Sequence, residues 1–375
     1  MPPFKAPPFK ADVVGSLLRP EAIFAARDKR DRGEIDAAAL RKVESAAVED
    51  AVALQKAAGL KVCTDGEFHR RHWFLDFLEK IDGVEVKGGL AVKFHNAGGD
   101  IEFSPPRFEV HGKMKRSRGL AVDDFAALKG IAERHGLVPK QPIPSPTLVH
   151  MRGGRAAIDG AVYPDMDAFV ADLVAVYRAE IKALYDAGCR YLQIDETNMP
   201  FLCDPKLRDT VRAIGEDPEK LPAFYVRMVN DVLKGRPADM TTVMHLCRGN
   251  HESAWVAEGG YDPVAEVLFG ELALDGFFLE YDSPRAGSFA PLRYLSKNKT
   301  AVLGLVTTKT PLLESKDELK RRIDEAAQIV PLERLALSPQ CGFASTIRGN
   351  ALTVDDEKKK LALVVETARE VWGTA

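Results

Sequence analysis

Short apolar runs of strand length alternate along this chain with longer stretches in which apolar residues return every three or four positions. The alternation predicts βα units and a parallel sheet, because an amphipathic helix repeats every 3.6 residues while a strand covered on both faces reads as a nearly continuous apolar run. The strand-like runs fall at residues 12–18, 60–66, 141–149, 190–196, 241–247, 276–282, 301–308 and 335–341. Eight such runs predict a closed (β/α)8 TIM barrel, a single α/β domain over residues 1–375. Segments 35–59 and 166–189 carry the helical spacing and end near Gly, as helices do.

Two stretches break the rhythm. Residues 83–113, "GVEVKGGLAVKFHNAGGDIEFSPPRFEVHGK", alternate β-type residues with Gly-rich turns, which predicts a β-hairpin insertion after the second strand, placed to cover the barrel mouth. Residues 201–222 lengthen the loop after the fourth strand and predict a helical insertion with an exposed face. A doubly wound sheet is the weaker alternative, since no GxGxxG follows the first strand.

Composition narrows the function classes. Charges are nearly balanced, at a formal net −3, and no run of five or more basic residues occurs, so the chain lacks the electrostatic footprint of a nucleic-acid binder. No apolar run approaches the roughly 20 residues needed to span a bilayer, and "MPPFKAPPFKADVVGS" has no secretory apolar centre, which predicts a cytoplasmic protein without membrane partners. The five cysteines are too scattered for a disulfide framework and read as free thiols or ligands. Self-association into a homo-oligomer is left open.

In a parallel barrel the functional side chains gather where strands end and βα loops begin. Ser16 ends "DVVGS", Glu67 ends "KVCTDGE", Asp195 lies in "YLQIDE", His245 and Cys247 end "TTVMHLC", Glu280 ends "GFFLE", and Cys341 ends "LALSPQC". Residues two apart on a strand point the same way, so His245 and Cys247 converge on one point. Imidazole and thiolate suit Zn2+, and Cys341 with Glu280 completes a four-ligand shell; packing of a buried HxC pair is the plainer alternative. Cys63, Cys189 and Cys203 read as packing residues. Glu67 and Asp195 suit a cationic amine and Ser16 a carboxylate, an amino-acid site, although one acid of each "DGE" and "IDE" pair can serve only to brace the other. "EFHRRHWF", after Glu67, is equally a substrate-contacting or a solvated basic loop, and the Gly249 turn carries His251 away from the ligand set.

Taken together and in order, "VGS", "DGEF", "QIDE", "HLC", "LEYDSPR" and "SPQCG" resemble the cobalamin-independent methionine synthase family, and specifically its catalytic zinc barrel without the N-terminal barrel of full-length members. The resemblance covers most of the chain. It implies zinc on His245, Cys247, Glu280 and Cys341, an amino-acid thiol acceptor on Ser16, Glu67 and Asp195, and a small-molecule alkyl donor. Glu280, the weak ligand of the set, is expected to move off or lengthen when the thiol arrives, keeping the metal four-coordinate. The sequence departs from the family at the donor: His150 stands where the family stacks a tryptophan on the pterin, and Thr307 and Lys309 stand where it has an Asp and His pair. Lys309 is accordingly expected as an electrophilic helper or acid at the leaving group. The donor is left open among methylfolate, methylcobalamin, a methylated sulfur compound and an epoxide, the last by resemblance to epoxyalkane:coenzyme M transferases. A non-catalytic zinc barrel and a metal-free lyase using Glu67 and Asp195 complete the alternatives.

Overall fold

The structure, a computed structural model, describes residues 7–89, 92–96, 99–104 and 106–375; residues 1–6 of the N-terminal segment and residues 90, 91, 97, 98 and 105 of the expected hairpin lie outside them. Among the described residues the strands run in chain order β1 (Val62–Cys63), β2 (Asp82–Lys87), β3 (Val92–Asn96), β4 (Gly99–Phe103), β5 (Arg107–Lys115), β6 (Val138–Pro139), β7 (Gln141–Pro144), β8 (Tyr191–Glu196), β9 (Thr241–Leu246), β10 (Gly276–Glu280), β11 (Thr300–Val306) and β12 (Leu335–Pro339). Strands β7 to β12 form a parallel sheet in sequence order, and β1 pairs in parallel with β6, immediately before β7. The expected helices form at Ala37–Ala57 and Met166–Asp186, each with an aspartate, Asp36 or Asp165, accepting a backbone N–H of the first turn at 2.7 Å. This is a (β/α) barrel with insertions.

The ring closes through a segment that the pattern makes a strand and the structure does not. Residues 12–18 make no ladder; Ala11 bridges Leu337 in parallel, and the Leu17 N–H reaches the Gly66 carbonyl at 3.1 Å. Side chains from the barrel interior satisfy its carbonyls instead. Lys140 Nζ donates to the Val13 carbonyl, Gln193 Nε2 to that of Val14 at 2.7 Å, and Thr64 Oγ1 to that of Gly15 at 2.5 Å. The second and third strands are also shorter than expected, because residues after Cys63 and Pro144 turn into the loops of the mouth: Ser145 N–H bonds the Asp195 carbonyl, and Leu148–Met151 form one helical turn.

The expected hairpin is a longer, nested one. β2 pairs with β5 and, beyond them, β3 with β4, both antiparallel. Its tip crosses to the loop after β9, where His95 and Trp255 exchange two backbone hydrogen bonds at 2.7 and 2.9 Å and Phe94 packs on Ala254 and Val256. The second insertion is helical as expected, with Pro205–Ala213 started by Asp204 and largely exposed on its outer face. No helix among the described residues is long and apolar enough to cross a membrane.

Candidate metal centre and active site

Register places the metal candidates in one layer. In β8, β9 and β10, Asp195 lies beside His245, and His245 beside Phe278, so Glu280, two residues on, rises level with Cys247. Cys341 arrives from the end of β12. One ligand atom from each of His245, Cys247, Glu280 and Cys341 lies within 4.8 Å of the others, and all four residues are buried. The Cys247 and Cys341 sulfurs are 3.6 Å apart. Their shared hydrogen bond holds the Cys341 thiol well below the usual thiol range, with help from His245, and together with burial pushes Cys247 well above it. Burial pulls His245 down, but Cys341, Asp195 and Glu280 outweigh it, so its pKa is raised.

These four residues fit a divalent cation. Both ring nitrogens of His245 are buried without a hydrogen-bond partner, an arrangement that costs about 1–3 kcal/mol per unmet group unless a ligand is there to be bound. Two sulfurs, one nitrogen and one carboxylate oxygen are a zinc-type donor set. Glu280 is oriented from behind: Oε1 accepts the Arg248 backbone N–H at 2.7 Å and Oε2 the Arg285 guanidinium at 2.8 Å. Burial raises the Glu280 pKa, against the pull of Lys309 and Arg285. Lys309 is itself buried, and its ammonium has no hydrogen-bond partner.

Above the cluster opens a cleft of about 660 Å³, measured to its open mouth, lined by Ser16, Glu67, Asp195, His245, Cys247 and Cys341 among others. Glu280 and Lys309 are not among its lining residues. Glu67 sits in the left-handed region at φ 61°, a conformation that costs a β-carbon residue of order 1 kcal/mol. It is held there by Asp65, whose Oδ1 accepts the Glu67 N–H at 2.8 Å, while Arg70 stands 3.5 Å from Glu67 Oε1. Burial and the facing Asp195 raise the Glu67 pKa against the pull of Arg70; burial raises that of Asp195 against His245 and Gln193. The remaining Glu67 oxygen, Oε2, is buried and unpartnered.

Ser16 meets the Cys341 loop directly. Its Oγ accepts the Ala344 N–H at 3.2 Å, and a β-carbon at position 342 would fall on that oxygen, so Gly342 is required for the approach. Gly15 has a matching role, since a β-carbon there would come 2.8 Å from Glu67 Oε1. The second acids of the two pairs brace loops: Asp65 holds Glu67 and His69, and Glu196 accepts from Thr147 Oγ1 at 2.6 Å and from the Asn198 N–H.

His150 lies away from this cleft. It is buried, with Nδ1 2.9 Å from the Tyr225 hydroxyl and Nε2 3.4 Å from Glu216, because the one-turn helix Leu148–Met151 directs it outward while Arg152 reaches the mouth. The loop "EFHRRHWF" divides: Arg71 is exposed, His69 and Arg70 are buried, and His72 and Trp73 line the cleft. His251 also lines it, outside the metal cluster, with Nδ1 3.3 Å from Thr346 Oγ1. Cys63, Cys189 and Cys203 are buried and their thiols pushed up to about 12 by burial. Sequence reasoning missed the arginines behind the site: half-buried Arg285 behind Glu280, buried Arg70 behind Glu67, and buried Arg19, which joins the Ala344 and Thr346 carbonyls to those of Glu67 and Arg70. "LEYDSPR" carried Arg285 as a motif letter, but nothing in it distinguishes a buried arginine from a surface one.

Comparison with known proteins follows the same lines. Residues 9–370 match the family described as "Cobalamin-independent synthase, Catalytic domain". The chain is 45% identical to the protein YxjH of Bacillus subtilis over 97% of this chain and 95% of that one, and 25% identical to a methionine synthase of Pyrococcus horikoshii over 90% and 87%. Among solved structures, a putative vitamin-B12-independent methionine synthase from Listeria monocytogenes superposes with a TM-score of 0.79 at 40% identity, covering 98% of this chain and 99% of that one. With its barrel, its clustered His, Cys, Glu and Cys, and these relatives, the chain belongs to the cobalamin-independent methionine synthase family.

Proposed function

We propose that the protein is a zinc-dependent S-alkyltransferase that moves a methyl group onto the thiol of a small amino-acid acceptor such as homocysteine. The observation that carries this reading is the convergence of four metal-ligand atoms within 4.8 Å, three of them from residues that line a cleft also walled by Glu67, Asp195 and Ser16. Zinc bound to His245, Cys247, Cys341 and Glu280 supplies the Lewis acidity that keeps a thiol ionised and nucleophilic at neutral pH.

The protein's own groups do the positioning. Glu67 and Asp195 share a buried wall and repel each other, so an ammonium placed against them relieves that repulsion and favours both ionised forms. Gln193 fixes Asp195 by donating to Oδ1 at 2.7 Å, and Arg70 limits the swing of Glu67. The Ser16 hydroxyl accepts the Ala344 N–H and keeps its own proton for the acceptor carboxylate. Glu280 would be one of the residues holding the metal, and its salt bridge to Arg285 at 2.8 Å would remain available to the carboxylate if it left the ligand set. Lys309 holds positive charge beside Glu280, Cys247 and Cys341, and its place outside the cleft lining favours this electrostatic role over proton donation to a leaving group.

The test is metal content followed by acceptor response. Elemental analysis should find about one zinc per chain, the stoichiometry of a single four-ligand site. In the cobalt-substituted protein homocysteine should alter the visible spectrum. Wild-type protein that neither carries nor takes up zinc would overturn the reading.

A further inference from the structure

Beside the metal cleft lies a larger one, about 1570 Å³ to its open mouth, under the hairpin tip and the helix Pro205–Ala213. Arg152 and Phe201 line both, so the two clefts adjoin at these side chains. The outer cleft is walled by apolar side chains, among them Met151, Leu207, Val211 and Trp255. Where it meets the inner one stands the Arg152 guanidinium, stacked 4.8 Å above the Phe74 ring and donating to the Pro106 carbonyl at 2.9 Å. Among the described residues no carboxylate comes within ion-pairing distance of it, whereas Arg19, Arg70 and Arg285 each have a carboxylate or several carbonyls. Burial with no opposing charge lowers its pKa to about 10. The rim of the outer cleft also carries Lys93, Lys206 and Glu258; Asp204 caps its helix, His95 pairs with Asp100, and Lys206 stands 3.9 Å from Glu258 on the exposed side, so Arg152 is the cation that stands where the two clefts meet.

We propose that Arg152 is a specificity-determining residue for the second substrate, binding an oxyanion carried on an apolar body that fills the outer cleft. Arg152 is half-buried, and with no carboxylate near it among the described residues its charge is disfavoured; a ligand oxyanion placed between the two clefts supplies a counter-ion as a charge-assisted hydrogen bond. This deepens the alkyl-transfer reading and rests on it for the identity of the ligand as the donor. The geometry of the anion site itself does not depend on the metal.

The test is equilibrium binding followed by Trp255 fluorescence and calorimetry, using zinc-assayed protein and three probes of one shape: naphthalene-2-carboxylate, naphthalene-2-sulfonate and the uncharged naphthalene-2-carboxamide. The anions should bind at least about tenfold more tightly than the amide, the worth of one charge-assisted hydrogen bond. Arg152→Gln should abolish that preference and leave amide binding unchanged, Arg152→Lys should retain part of it, and the better of the two anions identifies the oxyanion. If Arg152 only fastens the start of β5 through Pro106, the variants lower thermal stability and leave the anion preference intact. Equal binding of anion and amide by the wild type, or no binding of any probe at millimolar concentration, overturns the proposal. Since no turnover is measured, failure of alkyl transfer would leave the anion preference standing, and the reverse holds equally.

Discussion

Cys341 and Cys247 illustrate what a single side chain decides here. With their sulfurs 3.6 Å apart and His245 unpartnered, loss of either sulfur leaves three ligands, one of them a carboxylate. Cys341→Ser should therefore lose most of its zinc on dialysis while the wild type keeps it, as read by elemental analysis. If Glu67 and Asp195 hold the acceptor's ammonium as proposed, the acceptor step is sensitive to pH. Both carboxyl groups titrate above their usual range, so in the free enzyme the ionised pair is depleted as pH falls toward the values of about 7 and 6 that burial imposes. The kcat/KM for the acceptor should accordingly fall on the acid side of neutrality. Asp195→Asn removes the like charge facing Glu67, and the acid limb should move to lower pH with a raised KM for the acceptor; an unmoved limb would separate the pair from the acceptor. The HxC spacing and the acids at strand ends were legible because strand periodicity alone fixes their direction. Arg285, Arg70 and Arg152 were not, because an arginine's burial depends on partners distant in sequence.

At the scale of elements, the nested hairpin and the loop after β9 act together. Phe94 is the tip's apolar anchor, and the His95–Trp255 pair its backbone link. Phe94→Ala removes most of that buried side chain, a change worth about 3–5 kcal/mol in a main core, but here the loss falls on a satellite cluster. The expected outcome is faster hydrogen exchange at residues 92–96 and 254–256 with the global unfolding midpoint nearly unchanged; a large fall in that midpoint would make the tip part of the main core. The hairpin's existence was legible from alternation and Gly-rich turns. Its docking partner was not, since Trp255 lies 160 positions from His95. The first strand shows the converse failure. Its apolar run reads as a strand, yet Lys140, Gln193 and Thr64 take up its carbonyls, and periodicity carries no sign of such side-chain partners.

The whole barrel is closed at that seam by a buried ion pair. Lys140 Nζ lies 2.9 Å from Asp12 Oδ1, with the Tyr191 hydroxyl on the other oxygen and the Phe278 ring 4.3 Å from the ammonium. Lys140→Met strands a buried Asp12 and frees the Val13 carbonyl, and should cost about 3–5 kcal/mol in chemical denaturation, the toll of breaking one half of a buried pair. The metal cluster, by contrast, crowns a core already complete beneath it. Stripping zinc with a chelator should lower the thermal midpoint by the lost binding energy while leaving far-UV circular dichroism unchanged; collapse of the spectrum would make the metal a folding requirement.

The sequence by itself determined the alternation of strands and helices, the two insertions, and the side-chain chemistry presented at the strand ends, because each follows from local periodicity and from residue type. Only the tertiary structure decided which of those ends meet. Register across β8, β9 and β10 brings Asp195, His245 and Glu280 into adjoining layers. Packing sent His150 to Tyr225 and Arg152 to the mouth, and left Arg152 without a carboxylate partner among the described residues. Contacts between residues tens to hundreds of positions apart carry no local signature, and they set the burial and pairing on which this chemistry depends.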